Sequence, residues 1–218
     1  MLFLPKRMLL LFLGIPVDGY KHEMKQKLID KGFVYNKEDD NFDGEFNGTN
    51  VTVYIGTNNN KVWRIMLVDK NNIDETSIKI RFNRLCSQFV NNKRYRPANY
   101  TEYTIPAGED ISHEMLVNEK IYEAVFYQKA NTALIDSLSI KQKAKEIVLK
   151  EYTQEQLDNP TEEEKKDIDF ATEAAAVVVA YELSSMKPVW FRINELFGKY
   201  CISMYYDNEY NKANGEDL

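Results

Sequence analysis

The sequence predicts an α+β protein: an antiparallel sheet, continuous or in two halves, with helices packed on one face and a helical insert in the second half. Three observations predict it. Apolar and polar residues alternate from Phe42 to Val68, as in half-buried strands. Apolar residues recur at helical spacing on either side of that region. The stretch 130–187 is helical in character.

Residues 1–96 are expected to form a strand, a helix, three strands and a second helix. The apolar run Met8–Ile15 predicts a buried strand. A short amphipathic helix follows, for which Asp18 is the expected N-cap and Gly32 the left-handed end. The turn signal Asn47-Gly48 then separates the first two of three antiparallel strands.

The second helix is expected from about Asp74 to Val90, because its apolar residues fall on one face that would cover the sheet. These residues are Ile78, Phe82, Leu85 and Phe89.

Residues 97–218 are expected to form a second α+β half, either a separate unit or part of one continuous domain. A hairpin is predicted within 114–127, with its turn at Asn118-Glu119. Two strands, 190–193 and 200–206, are predicted around a turn at 197–199. Between them and the hairpin lies the insert 130–187, whose last helix is apolar around much of its circumference and is expected to be buried. Its apolar residues are Phe170, Ala174, Val177, Val178 and Tyr181.

Composition excludes several classes of protein. The 218 residues carry a formal net charge of −6, which argues against a surface built to neutralise nucleic-acid phosphates. Two cysteines make no disulfide framework, and two histidines without a cysteine cluster make no zinc site. We therefore expect no metal and no cofactor. The apolar run near the amino terminus is too short to span a membrane, and it lacks a cleavage site. We expect an acidic, soluble, cytoplasmic protein; the alternative is export with a signal that lies upstream or has been trimmed.

Motifs for catalysis are missing from the sequence. Its nine glycines are scattered singly, and neither a Gly-x-Ser-x-Gly elbow nor a His-Glu-x-x-His pair occurs. Cys86, His113 and Glu114 are the residues that could take part in an enzyme site assembled only in three dimensions. No catalytic residue is assigned. Cys86 lies on the apolar side of a predicted helix, where a small core residue explains it as well.

One stretch combines basic and tyrosine residues in an otherwise acidic chain. Basic and aromatic side chains together favour a binding surface, although a solvated helix face would have the same composition. The candidate binding residues are Arg81, Arg84, Lys93, Arg94, Tyr95, Arg96 and Tyr103, together with His113, whose polar neighbours could orient it.

Four segments of the chain carry a resemblance: 12–19 (FLGIPVDG), 31–33 (KGF), 44–48 (GEFNG) and the ending from Tyr205 to Leu218. On these segments the chain resembles a group of uncharacterised proteins from Bacteroides-type gut bacteria. The resemblance covers nearly the whole chain. The resemblance implies no established activity, cofactor or site residue. Proteins of that group often look exported, whereas this chain shows no convincing signal.

The function expected from these features is that of a non-catalytic binding or interaction protein with an unknown small ligand or protein partner. Two alternatives stay open. One is a hydrolase-like or transferase enzyme, and the other is a structural or regulatory subunit.

Overall fold

A computed structural model describes residues 9–99, 103–129 and 137–213. The chain forms two compact units. The sheet unit comprises the described residues of Leu9–Gln128 and Met186–Leu218, and the helical unit those of Lys129–Ser185. No helix in the described ranges is long and apolar enough to cross a membrane.

The first seven elements of the described chain are six strands and one helix. They are β1 (Leu11–Phe12), β2 (Ile15–Pro16), α1 (Lys21–Asp30), β3 (Val34–Asn36), β4 (Asn41–Phe46), β5 (Thr49–Asn58) and β6 (Lys61–Asp69).

The remaining elements follow in chain order. They are α2 (Glu75–Asn91), β7 (Tyr95–Pro97), α3 (Ile111–Leu116), β8 (Glu123–Gln128), the helical unit's α4 (Ser137–Val148), α5 (Gln154–Asp158) and α6 (Glu162–Ser185), then β9 (Pro188–Leu196) and β10 (Lys199–Asp207). A 3₁₀ turn, Glu209–Asn211, is the last described element.

Eight strands of the sheet unit form one continuous antiparallel sheet in the order β3-β4-β5-β6-β10-β9-β8-β7. The α+β fold with an antiparallel sheet is therefore confirmed. The order has an internal symmetry that the sequence did not reveal. α1 precedes β3 to β6 and α2 precedes β7 to β10, and each set of four strands runs inward from one edge of the sheet. The two sets meet where β6 pairs with β10.

The core of the sheet unit lies between one face of the sheet and its helices. Met24 and Leu28 of α1 are fully buried, and so is Ile78 of α2. In the second half of the sheet, the ring of Phe82 in α2 packs edge-on against Phe191 of β9, with 5.2 Å between ring centroids. Successive residues of a strand point to opposite faces, so the alternate residues of the same strands form a second sheet face.

The expected single strand from Met8 to Ile15 is wrong in its described part. Leu13 and Gly14 have positive φ values of 50° and 81°, and the chain turns back there so that Leu11 pairs with Pro16. Glycine adopts this conformation readily, which makes a two-residue turn possible within an apolar run. The N-cap of α1 is Tyr20 rather than Asp18. Asp18 instead accepts a hydrogen bond from the side chain of Asn211 at 2.6 Å.

The expected hairpin within 114–127 is also wrong. Residues Ile111–Leu116 form α3, because Asp110 caps the helix by accepting a hydrogen bond from the backbone nitrogen of His113 at 2.9 Å. β8 pairs with β7 and β9 instead. The turn at Phe197-Gly198 and the strands on either side of it are confirmed.

The helical unit has a small core of Ala144, Val148 and Ala175. Residues 130–136, where the predicted insert begins, lie outside the described ranges. The expected burial of the last helix is wrong for its large residues: Phe170 is 76% exposed and Val177 is 69% exposed. α6 packs on α4 through small residues, among them Ala171 and Ala175, so the larger apolar residues lie away from that contact.

Candidate ligand-binding site

A cavity of about 600 Å³ lies in the sheet unit beside the carboxyl end of α2; we call it the α2 cavity. The β1–β2 turn, the β4–β5 turn, the end of α2 and the start of β7 line it. Pockets for small molecules span roughly 300–1,000 Å³ and combine apolar walls with a few convergent polar groups. The α2 cavity falls within this size range, is broadly open to solvent, and has a lining that is nearly half polar.

Two tight turns form one side of the cavity. Leu13-Gly14 joins β1 to β2, and Asn47-Gly48 joins β4 to β5 with φ values of 52° and 75°. The side-chain amide of Asn47 donates a hydrogen bond to Gln88 of α2 at 2.7 Å, and Gln88 donates one back at 3.3 Å. This reciprocal pair ties the β4–β5 turn to the helix and fixes the width of the cavity there.

The side chain of Gln128 joins three parts of the inner wall. Its oxygen accepts a hydrogen bond from the backbone nitrogen of Leu11 at 2.9 Å. Its nitrogen donates to the Leu11 carbonyl at 3.4 Å and to the Tyr95 hydroxyl at 3.2 Å. Burial raises the pKa of the Tyr95 phenol above its ordinary value, so this hydroxyl stays protonated at neutral pH.

The hydroxyl of Tyr206, on β10, is the group of the lining that bears most directly on ligand binding. Tyr206 is only 4% exposed, and burial raises the pKa of its phenol well above the ordinary value. Its hydroxyl has no hydrogen-bond partner among the residues that the structure describes. Within the same residues, no fully enclosed side-chain polar atom lacks a partner, so this hydroxyl must reach open space. The open space that Tyr206 lines is the α2 cavity.

Apolar and aromatic side chains form the rest of the interior. Phe89 of α2 packs edge-on against Tyr95, with 4.8 Å between ring centroids. Phe46 and Leu85 line the walls beside it.

Among the described residues, Arg94 brings an exposed charged side chain to the edge of the cavity. Glu45 of β4 also borders the cavity, but Phe42, Gly44 and Phe46 occupy the core face of that strand, so the Glu45 side chain points to the opposite face.

The structure brings two of the predicted binding residues to the cavity, Arg94 and Tyr95. Arg81 points elsewhere: its guanidinium forms two hydrogen bonds, at 2.6 and 2.7 Å, with the buried carboxylate of Asp69. Arg84 and Lys93 are exposed and do not line the cavity.

The other predicted binding residues lie apart from it. The guanidinium carbon of Arg96 lies 4.6 Å from the ring centroid of Tyr127. The Tyr103 hydroxyl donates to the carbonyl of Val125 at 3.1 Å, and the Tyr103 ring packs on Phe126. His113 is exposed on the short helix α3. The basic and tyrosine-rich stretch is thus distributed over several surfaces.

The residues considered for catalysis do not form an activated pair. Burial raises the pKa of the Cys86 thiol to about 12, which leaves almost no thiolate at neutral pH. The Nδ1 atom of His113 lies 4.0 Å from the Glu114 carboxylate, beyond hydrogen-bond distance. Within the described ranges, no group of three or more His, Cys, Asp or Glu residues could hold a metal ion.

Sequence reasoning missed Tyr206 and Gln128. Both lie on strands whose pairing brings them beside the β1–β2 hairpin, and that hairpin was not predicted. It also missed a cluster on the second sheet face, where Trp190 stacks on Tyr205 with 3.9 Å between ring centroids. The sequence signal for these positions was strand alternation, which indicates a shared face but not which strands are neighbours.

No protein-family model matches the chain, and no curated protein and no solved structure matches it either. The resemblance to proteins of Bacteroides-type bacteria therefore stays a prediction.

Proposed function

We propose that this protein is a non-catalytic binding protein that holds a small amphipathic ligand in the α2 cavity. The hydroxyl of Tyr206 carries the proposal. This hydroxyl has no partner in the described part of the chain and opens onto the cavity, where a ligand can replace water as its hydrogen-bond partner. A ligand that hydrogen-bonds to this hydroxyl would complete its pairing while its apolar part contacts Phe46, Leu85 and Phe89.

The state of the other candidate residues supports a binding function over a catalytic one. Neither the protonated thiol of Cys86 nor the exposed imidazole of His113 has a geometry that would activate it. In the lining of the α2 cavity, by contrast, the titratable phenols of Tyr95 and Tyr206 have raised pKa values and stay neutral. Neutral phenols donate and accept hydrogen bonds, which suits recognition.

The cytoplasmic location and the alternative of export remain part of this proposal. A ligand-binding role is compatible with either compartment.

The test uses the dye 8-anilinonaphthalene-1-sulfonate, whose fluorescence rises in apolar sites. Gln88 lines the cavity and is exposed, so the substitution Gln88→Trp would fill the opening without removing a core residue. Ser87→Trp places the same bulky residue on the same helix at an exposed position outside the cavity, and it is one control. Gln88→Trp also removes the Asn47–Gln88 hydrogen bonds, so Gln88→Ala, which removes the same bonds without filling the opening, is the other control.

We expect Gln88→Trp to weaken dye binding by about tenfold, which corresponds to a loss of about 1.4 kcal/mol. Ser87→Trp and Gln88→Ala should bind the dye as the wild type does. Dye bound elsewhere, for example on the exposed residues of α6, contributes equally to the signal of all these proteins. Equal binding by the wild type and the three variants, or equal weakening in Gln88→Trp and Gln88→Ala, would contradict the proposal.

A further inference from the structure

We infer that the ligand of the α2 cavity is an organic oxyanion with an apolar body, namely a carboxylate or a phosphate monoester carried by an aliphatic or aromatic group. This inference rests on the proposed function and specifies the chemistry of the ligand. The oxyanion would bind at the guanidinium of Arg94 and the hydroxyl of Tyr95, and the apolar body would enter the cavity.

The charge at the edge of the cavity gives the first argument. Arg94 lines the cavity, and its exposed guanidinium forms no hydrogen bond or ion pair within the described part of the chain. Glu45 does not neutralise it, because the Glu45 side chain points to the opposite face of β4. Asp43 shares that opposite face and is paired with Lys70 at 2.9 Å. An unpaired guanidinium can bind a carboxylate or a phosphate through two parallel hydrogen bonds.

The effect of Arg94 on Tyr95 gives the second argument. Burial raises the pKa of the Tyr95 phenol, whereas a hydrogen bond from Gln128 and the positive charge of Arg94 oppose this rise. The Arg94 charge is therefore near enough to act on a hydroxyl of the inner wall. The backbone nitrogen of Arg94 donates to the Asn92 side chain at 3.0 Å, which fixes the turn between α2 and β7. Arg94 and Tyr95 thus line the cavity as neighbouring residues on a held segment of backbone.

The balance of hydrogen-bonding groups in the lining gives the third argument. Four side-chain amides line the cavity, those of Asn47, Gln88, Asn92 and Gln128, and each amide oxygen already accepts a hydrogen bond from the protein. Asn47 and Gln88 accept from each other, whereas Asn92 and Gln128 accept from backbone nitrogens. These oxygens are therefore less available to a cation or to an N–H group of a ligand.

The free groups of the lining are donors instead. The Tyr95 hydroxyl accepts from the Gln128 amide at 3.2 Å, and its own proton has no acceptor in the ranges 9–99, 103–129 and 137–213. The Tyr206 hydroxyl is unpartnered in the same ranges. Burial raises the pKa of Tyr206, and the nearby Tyr95 phenol raises it further, so the two hydroxyls are neighbours. Two hydroxyl protons and a guanidinium complement a group that only accepts, as ionised carboxylates do.

The interior of the cavity selects the rest of the ligand. Phe46, Leu85 and Phe89 offer contacts for an aliphatic or aromatic body, and the volume of about 600 Å³ accommodates a molecule of that kind. A small inorganic anion would leave these side chains without contact. We therefore expect inorganic phosphate to bind more weakly than a phosphate monoester with a phenyl group.

Isothermal titration calorimetry on the full chain tests the inference with probes that share a phenylalkyl body. They are 4-phenylbutanoate, 3-phenylpropyl phosphate, the uncharged 4-phenylbutanamide and the cationic 4-phenylbutylamine, with inorganic phosphate for comparison. Binding of either organic anion supports the inference, and the tighter of the two identifies the source of the charge. In the wild type the amide should bind about three- to tenfold more weakly than the carboxylate, the range expected for a partly exposed charged contact. The amine should bind least well, because its charge has the sign of Arg94.

Variants at Arg94 identify the residue that recognises the anion. Arg94→Gln should bind the carboxylate and the amide equally well, because it lacks the guanidinium. Arg94→Lys keeps the positive charge and should retain part of the preference for the carboxylate. Lys93→Gln removes an exposed neighbouring charge outside the cavity and should show the full preference of the wild type.

Four outcomes would overturn the inference. They are equal binding of the amide and the carboxylate by the wild type, a preference for the carboxylate that survives in Arg94→Gln, binding of inorganic phosphate as tightly as the phosphate monoester, and no binding of either organic anion. The proposed function is judged separately. If Gln88→Trp binds the dye or the amide more weakly than Gln88→Ala does, the binding function stands and only the anionic ligand is wrong. If these two variants bind both probes equally, the proposed function fails as well.

Discussion

The guanidinium of Arg64 forms two hydrogen bonds with the carboxylate of Asp207, at 2.6 and 2.7 Å, across the strand pair that joins the two halves of the sheet. Arg64 lies on β6 and Asp207 directly opposite on β10. The indole nitrogen of Trp190 on β9 donates to the same carboxylate at 2.9 Å. The Arg64 guanidinium carbon also lies 4.8 Å from the ring centroid of Tyr205. Asp207 thus links three neighbouring strands of the second sheet face.

Substitution of Asp207 by alanine should destabilise the fold by about 2–4 kcal/mol, because it leaves the Arg64 charge and the Trp190 indole without their acceptor. The Asp207 side chain is 3% exposed, so the pair is largely removed from solvent. Asp43→Ala is the matched control: Asp43 and Lys70 are each 42% exposed, and an exposed pair contributes about 0–1 kcal/mol. Urea unfolding measures both free energies. Equal losses of unfolding free energy in the two variants would show that the Arg64–Asp207 pair stabilises the β6–β10 strand pair no more than an exposed ion pair would.

Two tyrosine-to-phenylalanine substitutions should separate a ligand-binding hydroxyl from a structural one. Tyr206→Phe removes a hydroxyl that has no partner in the described part of the chain, so the free energy of unfolding should change by less than about 0.5 kcal/mol. Tyr95→Phe removes the acceptor of the Gln128 amide and should cost about 0.5–1.5 kcal/mol.

In ligand binding the order of the two variants should be reversed: Tyr206→Phe should lose more affinity than Tyr95→Phe. Tyr206→Phe should weaken the binding of any probe that hydrogen-bonds at the inner wall, even though its stability is that of the wild type. Thermal unfolding and calorimetric titration measure the two quantities. A stability loss in Tyr206→Phe as large as that in Tyr95→Phe would indicate that the Tyr206 hydroxyl has a structural partner.

The sequence alone correctly predicted the elements whose residue pattern lies within a few positions of the chain. The spacing of Ile78, Phe82 and Leu85 identified α2, and Asn47-Gly48 identified the β4–β5 turn. Both signals arise within a few residues of chain. α3 was not predicted, because its short apolar pattern suits a strand as well as a helix. In the structure, the N-cap Asp110 favours the helix.

The candidate site was only partly predictable for a related reason. Arg94 and Tyr95 belong to a stretch whose composition indicates binding, and both line the α2 cavity. Tyr206 lies 111 positions further along the chain than Tyr95, and only the pairing of β10 with β9 and of β9 with β8 brings the two to one sheet face. Such register depends on contacts between distant strands and leaves no local pattern.

Lys187 should make stability depend on pH in the alkaline range. It is only 2% exposed, and burial lowers the pKa of its ammonium group to about 8. Below pH 8 the group is charged in both states, so the cost of burying the charge is fully present. Between pH 8 and about 10.5 the folded chain releases the proton while the unfolded chain keeps it, so rising pH favours the folded state through this group.

The substitution Lys187→Met removes this cost and isolates it from other titrations. At pH 7 it should stabilise the fold by up to about 3 kcal/mol, and the gain should shrink towards zero as the pH approaches 10.5. Lys37→Met changes an exposed lysine and should show no such trend. Unfolding by urea at several pH values gives the difference from wild type. A gain that stays constant between pH 7 and 10.5 would contradict a lowered pKa at Lys187.

Gly44 on β4 should not tolerate alanine, although its backbone conformation is an ordinary one for a strand. A Cβ atom at this position would lie 2.4 Å from Cδ1 and 2.7 Å from Cε1 of the Phe33 ring. Phe33 is 4% exposed and packs within the core, so its ring has little room to move. Gly44→Ala should therefore cost about 1–3 kcal/mol, as overpacking of a core does.

Gly108→Ala provides the comparison for this substitution, because no atom lies within 4 Å of a Cβ placed there. It should change the free energy of unfolding by no more than about 0.5 kcal/mol. The double variant Gly44→Ala with Phe33→Leu tests the cause, since the smaller side chain makes room for the added methyl group. If the clash is responsible, the double variant loses less stability than the sum of the two single losses. Simple additivity would show that the glycine is needed for a reason other than contact with Phe33.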